Sequence, residues 1–183
     1  MFIVVFGPSA SGKTTVGRGL SARLGWPFFE GDDFHPPANV ERMRAGVPLG
    51  DAERAPWLAA LAQLIAEHAE KGTDGVLACS ALKRRYRAEL VPPGAPWGSV
   101  RFIYLRADRA LLERRLSTRR GHFFPPQLLD SQIADLEQPS GEDPAPVLEV
   151  DASQPVERIV QSICESLGLN AGVASPPPGP RPG

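Results

Sequence analysis

The sequence predicts a three-layer α/β fold built on a parallel sheet. Strand-like and helix-like segments alternate along most of the chain, and nearly every strand-like segment is apolar throughout rather than on alternate residues. The segments richest in chemistry, Gly7 to Thr14, Glu30 to His35 and Ser80 to Arg87, each follow directly after such a strand. A strand apolar on both faces must be covered on both, which helices on either side of a parallel sheet provide. In sheets of this kind ligands collect beyond the carboxyl ends of the strands.

"FIVVF" (2–6) is a continuous apolar, β-branched run and reads as the first strand. Val16, Leu20 and Leu24 then recur at helical spacing until Gly25, which predicts a helix from about Lys13 to about Leu24. "WPFFE" (26–30) reads as the second strand. The prolines of "HPPANVERMRAG" are placed to open a helix and Gly46 to stop it. A longer amphipathic helix carries Trp57, Leu58, Leu61, Leu64, Ile65 and His68 on one side and ends by Gly72. "GVLACS" (75–80) and "VRFIYL" (100–105) read as buried strands. Asp108 is placed to cap a helix through Leu111, Leu112 and Leu116, and "QLLDSQIADLE" (127–137) reads as another. "APVLEVD" (145–151) is the last strand, and Val156, Ile159, Val160, Ile163 and Leu167 form the stripe of a terminal helix beginning near Pro155.

Length and composition limit what this fold can be for. A chain of 183 residues suits a single domain of ordinary size, read here as 1–170, and the Pro/Gly-rich 171–183 is expected to be a disordered tail. A net charge of -1 gives no overall pull toward nucleic acid or an anionic membrane, so any anion site must be local. Cys79 and Cys164 share no metal-ligand spacing and suggest no disulfide framework, which fits a reducing, cytoplasmic setting. Residues 2–6 are too short for a signal or membrane segment.

The segment after the first strand has the spacing G-x-x-x-x-G-K-T. Pro8, Ser9, Ala10 and Ser11, small residues between Gly7 and Gly12, let successive N–H groups curl around phosphate oxygens. The first helical turn, with Thr14 and Thr15, adds unsatisfied donors and a partial positive charge. Lys13 would reach the β- and γ-phosphates of a nucleotide and Thr14 would offer its hydroxyl to Mg²⁺. A GTPase switch could share this loop, but the chain lacks the N-K-x-D segment that reads guanine, which favours ATP.

A kinase must also hold an acceptor hydroxyl in line with the γ-phosphate. Glu30 and Asp32 are two residues apart at a strand end, so in extended geometry their carboxylates project to one side. One would orient Mg²⁺ through water and the other accept a hydrogen bond or proton from the acceptor. Arg54, Lys83 and Arg87 are candidates for an anionic acceptor, the last two being four apart and expected on one helix face. His35 either contacts a polyol hydroxyl or stabilises the turn before two prolines. In "ERRLSTRRGHFF" Arg115 and Arg119 are four apart, and the glycine, prolines and phenylalanines that follow suit a hinged, water-excluding lid.

Together "GDDFHPPANVERMRAGVPLGDAERAPWL", "CSALKRRYRAEL" and "RRGHFFPPQLLDSQIADLEQP" closely resemble the gluconokinase family over roughly residues 2–168. Departures are small: Arg42 and Arg120 stand where lysine is frequent, and Gly50 precedes Asp51 where a polar residue is common. The resemblance implies a fold like that of shikimate and nucleoside monophosphate kinases, with a five-stranded parallel sheet, helices on both faces and a mobile lid. It also implies ATP-dependent phosphorylation of D-gluconate on its 6-hydroxyl, with MgATP, a cytoplasmic setting and a homodimer. By similarity, Lys13, Asp32, Arg115 and Arg119 carry the catalysis, with the last two on the lid. Asp32, His35, Arg54, Lys83 and Arg87 contact the acceptor, and Asp151 to Pro155 pack the adenine. Two alternatives stand beside this reading: a kinase of the same fold acting on another small anion such as shikimate, and a nucleotide-binding module without catalysis.

Overall fold

The computed structural model describes residues 1–118 and 126–169. Five strands, β1 (Phe2–Phe6), β2 (Phe28–Glu30), β3 (Gly75–Cys79), β4 (Val100–Arg106) and β5 (Val147–Asp151), form one sheet in the order β2-β3-β1-β4-β5. Every pairing is parallel. The described helices are α1 (Lys13–Leu24), α2 (Pro37–Arg44), α3 (Asp51–Glu70), α4 (Arg84–Glu89), α5 (Arg109–Thr118), α6 (Pro126–Asp135) and α7 (Val156–Ser166).

β1 explains the layering. Its five residues are all buried, and they divide by alternation between two cores. Phe2, Val4 and Phe6 meet Trp57, Leu58, Leu61 and Ile65 of α3 on one face. Ile3 and Val5 meet Val16 and Leu20 of α1 and Ile159, Val160 and Ile163 of α7 on the other. Each such aliphatic side chain taken fully from water contributes roughly 1.5–3 kcal/mol. Because β1 is central, with β3 and β4 as neighbours, its exit loop enters the middle of the sheet's carboxyl edge.

The helix signals lie where expected. Gly25 and Gly46 have φ of 71° and 75° after α1 and α2, and the Asp108 carboxylate accepts from Leu111 N–H at 2.7 Å at the start of α5. Three boundaries shift by two residues. Trp26, just past α1, is tied back to it by Ser21 Oγ, which donates to its carbonyl at 2.6 Å, so β2 begins only at Phe28. Pro146 has no N–H for the ladder, and β5 begins one residue later at Val147. Past Asp135 the chain turns away to bond Glu137 N–H to Leu82 O at 3.0 Å, which ends α6. Residues 119–125, expected to belong to a lid, and the proline-rich tail lie outside the described residues.

Candidate active site

Between β1 and α1 the backbone must reverse within residues 7–12. Gly7 and Gly12 supply φ of 145° and 103°, and a Cβ at Gly7 would stand 3.1 Å from both Leu105 O and Ser11 Oγ. No side chain caps α1 and no acid sits in its first turn, so its first N–H groups and positive dipole end are left for an anion. Lys13 Nζ donates to Pro8 O at 3.0 Å across the loop. Over it lies a cleft of about 400 Å³ lined by Ser9 to Val16, with Glu30, Asp32, Arg115, Ala152 and Gln154 at its edges. Of the segment expected to pack adenine, Ala152 and Gln154 line this cleft.

Arg115 is on α5 and acts as a fixed tie. Its NH1 donates to Ser11 O at 2.8 Å and Ala10 O at 3.3 Å, and its NH2 to Ala152 O at 2.7 Å, joining the phosphate loop to the loop after β5. Its guanidinium is therefore in the donor cleft without any lid movement. Arg119, its expected companion, lies outside the described residues.

Thr14 Oγ1 donates to Glu30 Oε2 at 2.7 Å. Burial pushes the Glu30 carboxyl above its ordinary range, the Thr14 hydrogen bond opposes this, and the nearby Asp32 charge adds to the rise. No group of three or more His, Cys, Asp or Glu placed to hold a metal occurs among the described residues. A hydroxyl and one carboxylate beside a phosphate loop nevertheless fit Mg²⁺, which keeps several waters and takes its remaining oxygens from substrate phosphates. The extended geometry expected of Glu30 and Asp32 ends at Glu30, because Gly31–Phe34 is a 3-10 turn. The turn forms where Gly31 crosses β3: a Cβ there would lie 2.6 Å from Ala78 O, and Trp57 Nε1 donates to Gly31 O at 2.7 Å. Both carboxylates still edge the same cleft.

A second cleft of about 580 Å³ opens between the 3-10 turn, α2, α3 and α6. Its lining includes Asp32, His35, Arg54, Trp57, Ser80 and Gln132. Ser9, Lys13 and Asp32 line both clefts. Volumes of this order suit small metabolites, and the shared residues define where a group could pass between two of them. His35 stacks on Trp57 with ring centroids 4.6 Å apart. Burial lowers its pKa, against the opposing Asp32 charge and with help from Arg54, so the imidazole is held toward its neutral form.

The basic residues divide by depth. Arg54 donates from NH1 to Asp135 Oδ2 at 2.7 Å and to Tyr86 Oη at 3.1 Å while lining the second cleft. Lys83 Nζ lies 3.1 Å from Asp135 Oδ1 and 3.2 Å from Asp51 Oδ1. Burial acts against ionising Asp135, but the bonds from Arg54 and Lys83 prevail and hold its carboxyl below the usual carboxylate range. Arg87 and Lys83 do not share a ligand-facing surface: Lys83 precedes α4, whereas Arg87 is 0% exposed. Arg87 Nε bonds Asp143 Oδ1 at 2.5 Å, and its NH groups bond the carbonyls of Ala81, Leu82 and Glu137. Its guanidinium also lies 5.0 Å from the Phe6 ring centre. This corrects the expected acceptor contact, since a guanidinium so enclosed presents nothing to a cleft.

Sequence reading missed Trp57, Tyr86, Gln132 and Asp135 as parts of the site. Trp57 looked like ordinary stripe. Gln132 and Asp135 did carry a signal: at helical spacing from buried Leu128 they continue its face with polar groups, so that face must meet polar partners.

Known proteins share this chain's sequence and fold. Residues 2–139 match the model of a family described as an AAA domain. The chain is 50% identical over 143 residues to a gluconokinase from Gluconobacter oxydans, covering 78% of this chain and 79% of that protein. A sugar kinase from Janibacter superposes with a TM-score of 0.84 at 38% identity, covering 95% of this chain and 98% of the other. A gluconokinase from Sinorhizobium meliloti superposes at 0.79 and 40%, with 91% and 90% covered.

Proposed function

The chain belongs to the gluconokinase family, and from that premise we propose that it transfers the γ-phosphoryl group of MgATP in line to the 6-hydroxyl of D-gluconate, giving ADP and 6-phospho-D-gluconate. The observation that carries the reading is the junction of two clefts at Ser9, Lys13 and Asp32. One cleft has the phosphate loop and the other has Arg54.

Gluconate is a monoanion with its reactive hydroxyl at the end remote from its carboxylate. In this reading Arg54 and Lys83 fix the carboxylate, His35 meets the polyol, and the 6-hydroxyl lies against Asp32 at the junction. Asp32 orients that hydroxyl and accepts its proton as the oxygen attacks phosphorus. Backbone N–H groups between Ser9 and Thr15 hold the triphosphate, and Lys13 neutralises charge on the transferring group. Arg115 adds positive charge from the floor of the donor cleft, and Arg119 completes the set. Thr14 and Glu30 are the residues that would hold Mg²⁺, Glu30 through water, and such an ion would supply charge neutralisation to the phosphates. Arg87 and Asp143 position the Ala81–Leu82 loop beside the acceptor cleft and touch neither substrate.

A domain spanning 1–170, a cytoplasmic setting and a homodimer belong to the same reading. Two free, buried cysteines agree with a reducing compartment. Among the described residues no helix is long and apolar enough to cross a membrane. Light scattering of the purified chain measures the oligomer.

A same-fold kinase for another small anion would keep the donor cleft and change the acceptor cleft. A non-catalytic nucleotide binder would dispense with Asp32 at the junction. An ADP-release assay with gluconate, shikimate, hexoses and nucleoside monophosphates separates these readings: turnover with gluconate is expected, and turnover only with another acceptor would overturn the assignment.

A further inference from the structure

α6 lines the acceptor cleft and, through one of its side chains, also holds the phosphate loop of the donor cleft. Gln132 accepts the Ser9 N–H at 2.6 Å through Oε1, at a residue that lines both clefts. Asp135, three residues on and so on the same side of the helix, accepts from Arg54 at 2.7 Å and faces Lys83 at 3.1 Å. A carboxamide oxygen thus stands on a phosphate-loop amide while a carboxylate stands on the two cations assigned to the acceptor's carboxylate. Both are acceptor groups of the kind the substrates bring to those same donors.

We propose that Gln132 and Asp135 are positioning residues that stand in for the two substrates, so that α6 couples the donor and acceptor sites. The inference rests on the gluconate reading of the acceptor cleft. Arg54 is half-buried, and two cations held together without an anion would repel; Asp135 offsets that repulsion in the free enzyme. The same carboxylate competes with gluconate's for the same donors. A gluconate carboxylate that takes over Arg54 and Lys83 releases Asp135, and with it the hold of α6 on Ser9, whose N–H becomes available to a phosphoryl oxygen. The converse holds for nucleotide, because coupling between two binding equilibria is reciprocal.

A fixed structural partner of Arg54 would behave in the opposite way. Its removal would let the guanidinium wander and weaken gluconate binding. The competitor role predicts that its neutral isostere strengthens binding.

Calorimetric titration of the full chain with gluconate, alone and with saturating non-hydrolysable ATP analogue and Mg²⁺, tests this. The parent protein is expected to bind gluconate at least about fivefold more tightly with the analogue present, the lower range of ordinary allosteric coupling. Asp135→Asn should bind gluconate alone more tightly than the parent, and its coupling factor should fall toward one. Gln132→Ala should bind the analogue alone more tightly and lose coupling likewise, which keeps the test open if Asp135→Asn does not fold. Weaker gluconate binding by a folded Asp135→Asn, or an unchanged coupling factor in either variant, overturns the proposal. A parent protein that binds another acceptor and no gluconate overturns the functional reading on which it rests.

Discussion

Thr14 and Glu30 are joined by a 2.7 Å hydrogen bond between the first turn of α1 and the end of β2. They lie far apart in sequence and meet because both adjoining loops open at the carboxyl edge of one parallel sheet. The bond places a half-buried carboxylate beside the phosphate loop, where burial first, and Asp32 after it, raises its pKa against the opposing Thr14 bond.

Ionising Glu30 therefore costs the folded state. Its contribution to stability is full below the ordinary value of 4.5 and is lost as pH rises through the raised one. Glu30→Gln should be more stable than the parent at neutral pH, with the advantage shrinking as pH falls through the raised value toward 4.5 and absent below it. Urea midpoints at pH 7 and pH 4 measure it, and a pH-independent difference would contradict the cause assigned here. The same variant should need about 10–100-fold more Mg²⁺ for half-maximal activity.

Lys13→Ala and Asp32→Ala should each severely impair phosphoryl transfer, but through different losses. Asp32→Ala should keep ATP binding and lower kcat by about 10²–10⁴, the range for a positioned acid or base. Nucleotide binding measured beside turnover separates the two; near-normal kcat in Asp32→Ala would remove that carboxylate from the mechanism.

Arg54→Ala deletes one charge-assisted contact to the acceptor and none to the nucleotide. Loss of roughly 1.5–3 kcal/mol of such bonding corresponds to about 10- to 150-fold in KM for gluconate. KM for ATP should change little, and equal effects on both would refute the contact.

Arg87 and Asp143 form a pair with side-chain exposures of 0% and 2%. Asp143→Ala leaves a buried guanidinium without its anion and should destabilise the protein by about 3–5 kcal/mol. Denaturant unfolding measures this, and a loss near zero would show that the carbonyls of Ala81, Leu82 and Glu137 suffice.

The layers and the donor site were legible because their signals are local. β1 declares burial on both faces by being apolar throughout, and Gly7, Gly12 and Lys13 declare the phosphate loop by spacing. The acceptor site was legible only in part, because its geometry depends on contacts between distant segments. Nothing in "GDDF" announces the 3-10 turn that Gly31 makes against Ala78 and Cys79, since the constraint lies in β3. The spacing of Lys83 and Arg87 suggests a shared basic face, whereas Asp143, 56 residues beyond Arg87, draws that arginine inside. Asp135 was overlooked because its meaning lies in Arg54 and Lys83, which α6 meets only in the folded chain.

The central claim is that the two clefts form one transfer site for a sugar acid. Phosphorus NMR of the product formed by the full chain from MgATP and gluconate tests it most directly, because only the 6-oxygen of gluconate is borne by a CH₂ group. A single phosphomonoester whose phosphorus couples to the two protons of C6 is expected; an ester coupled to one proton, or no ester from gluconate at all, would rule out this transfer.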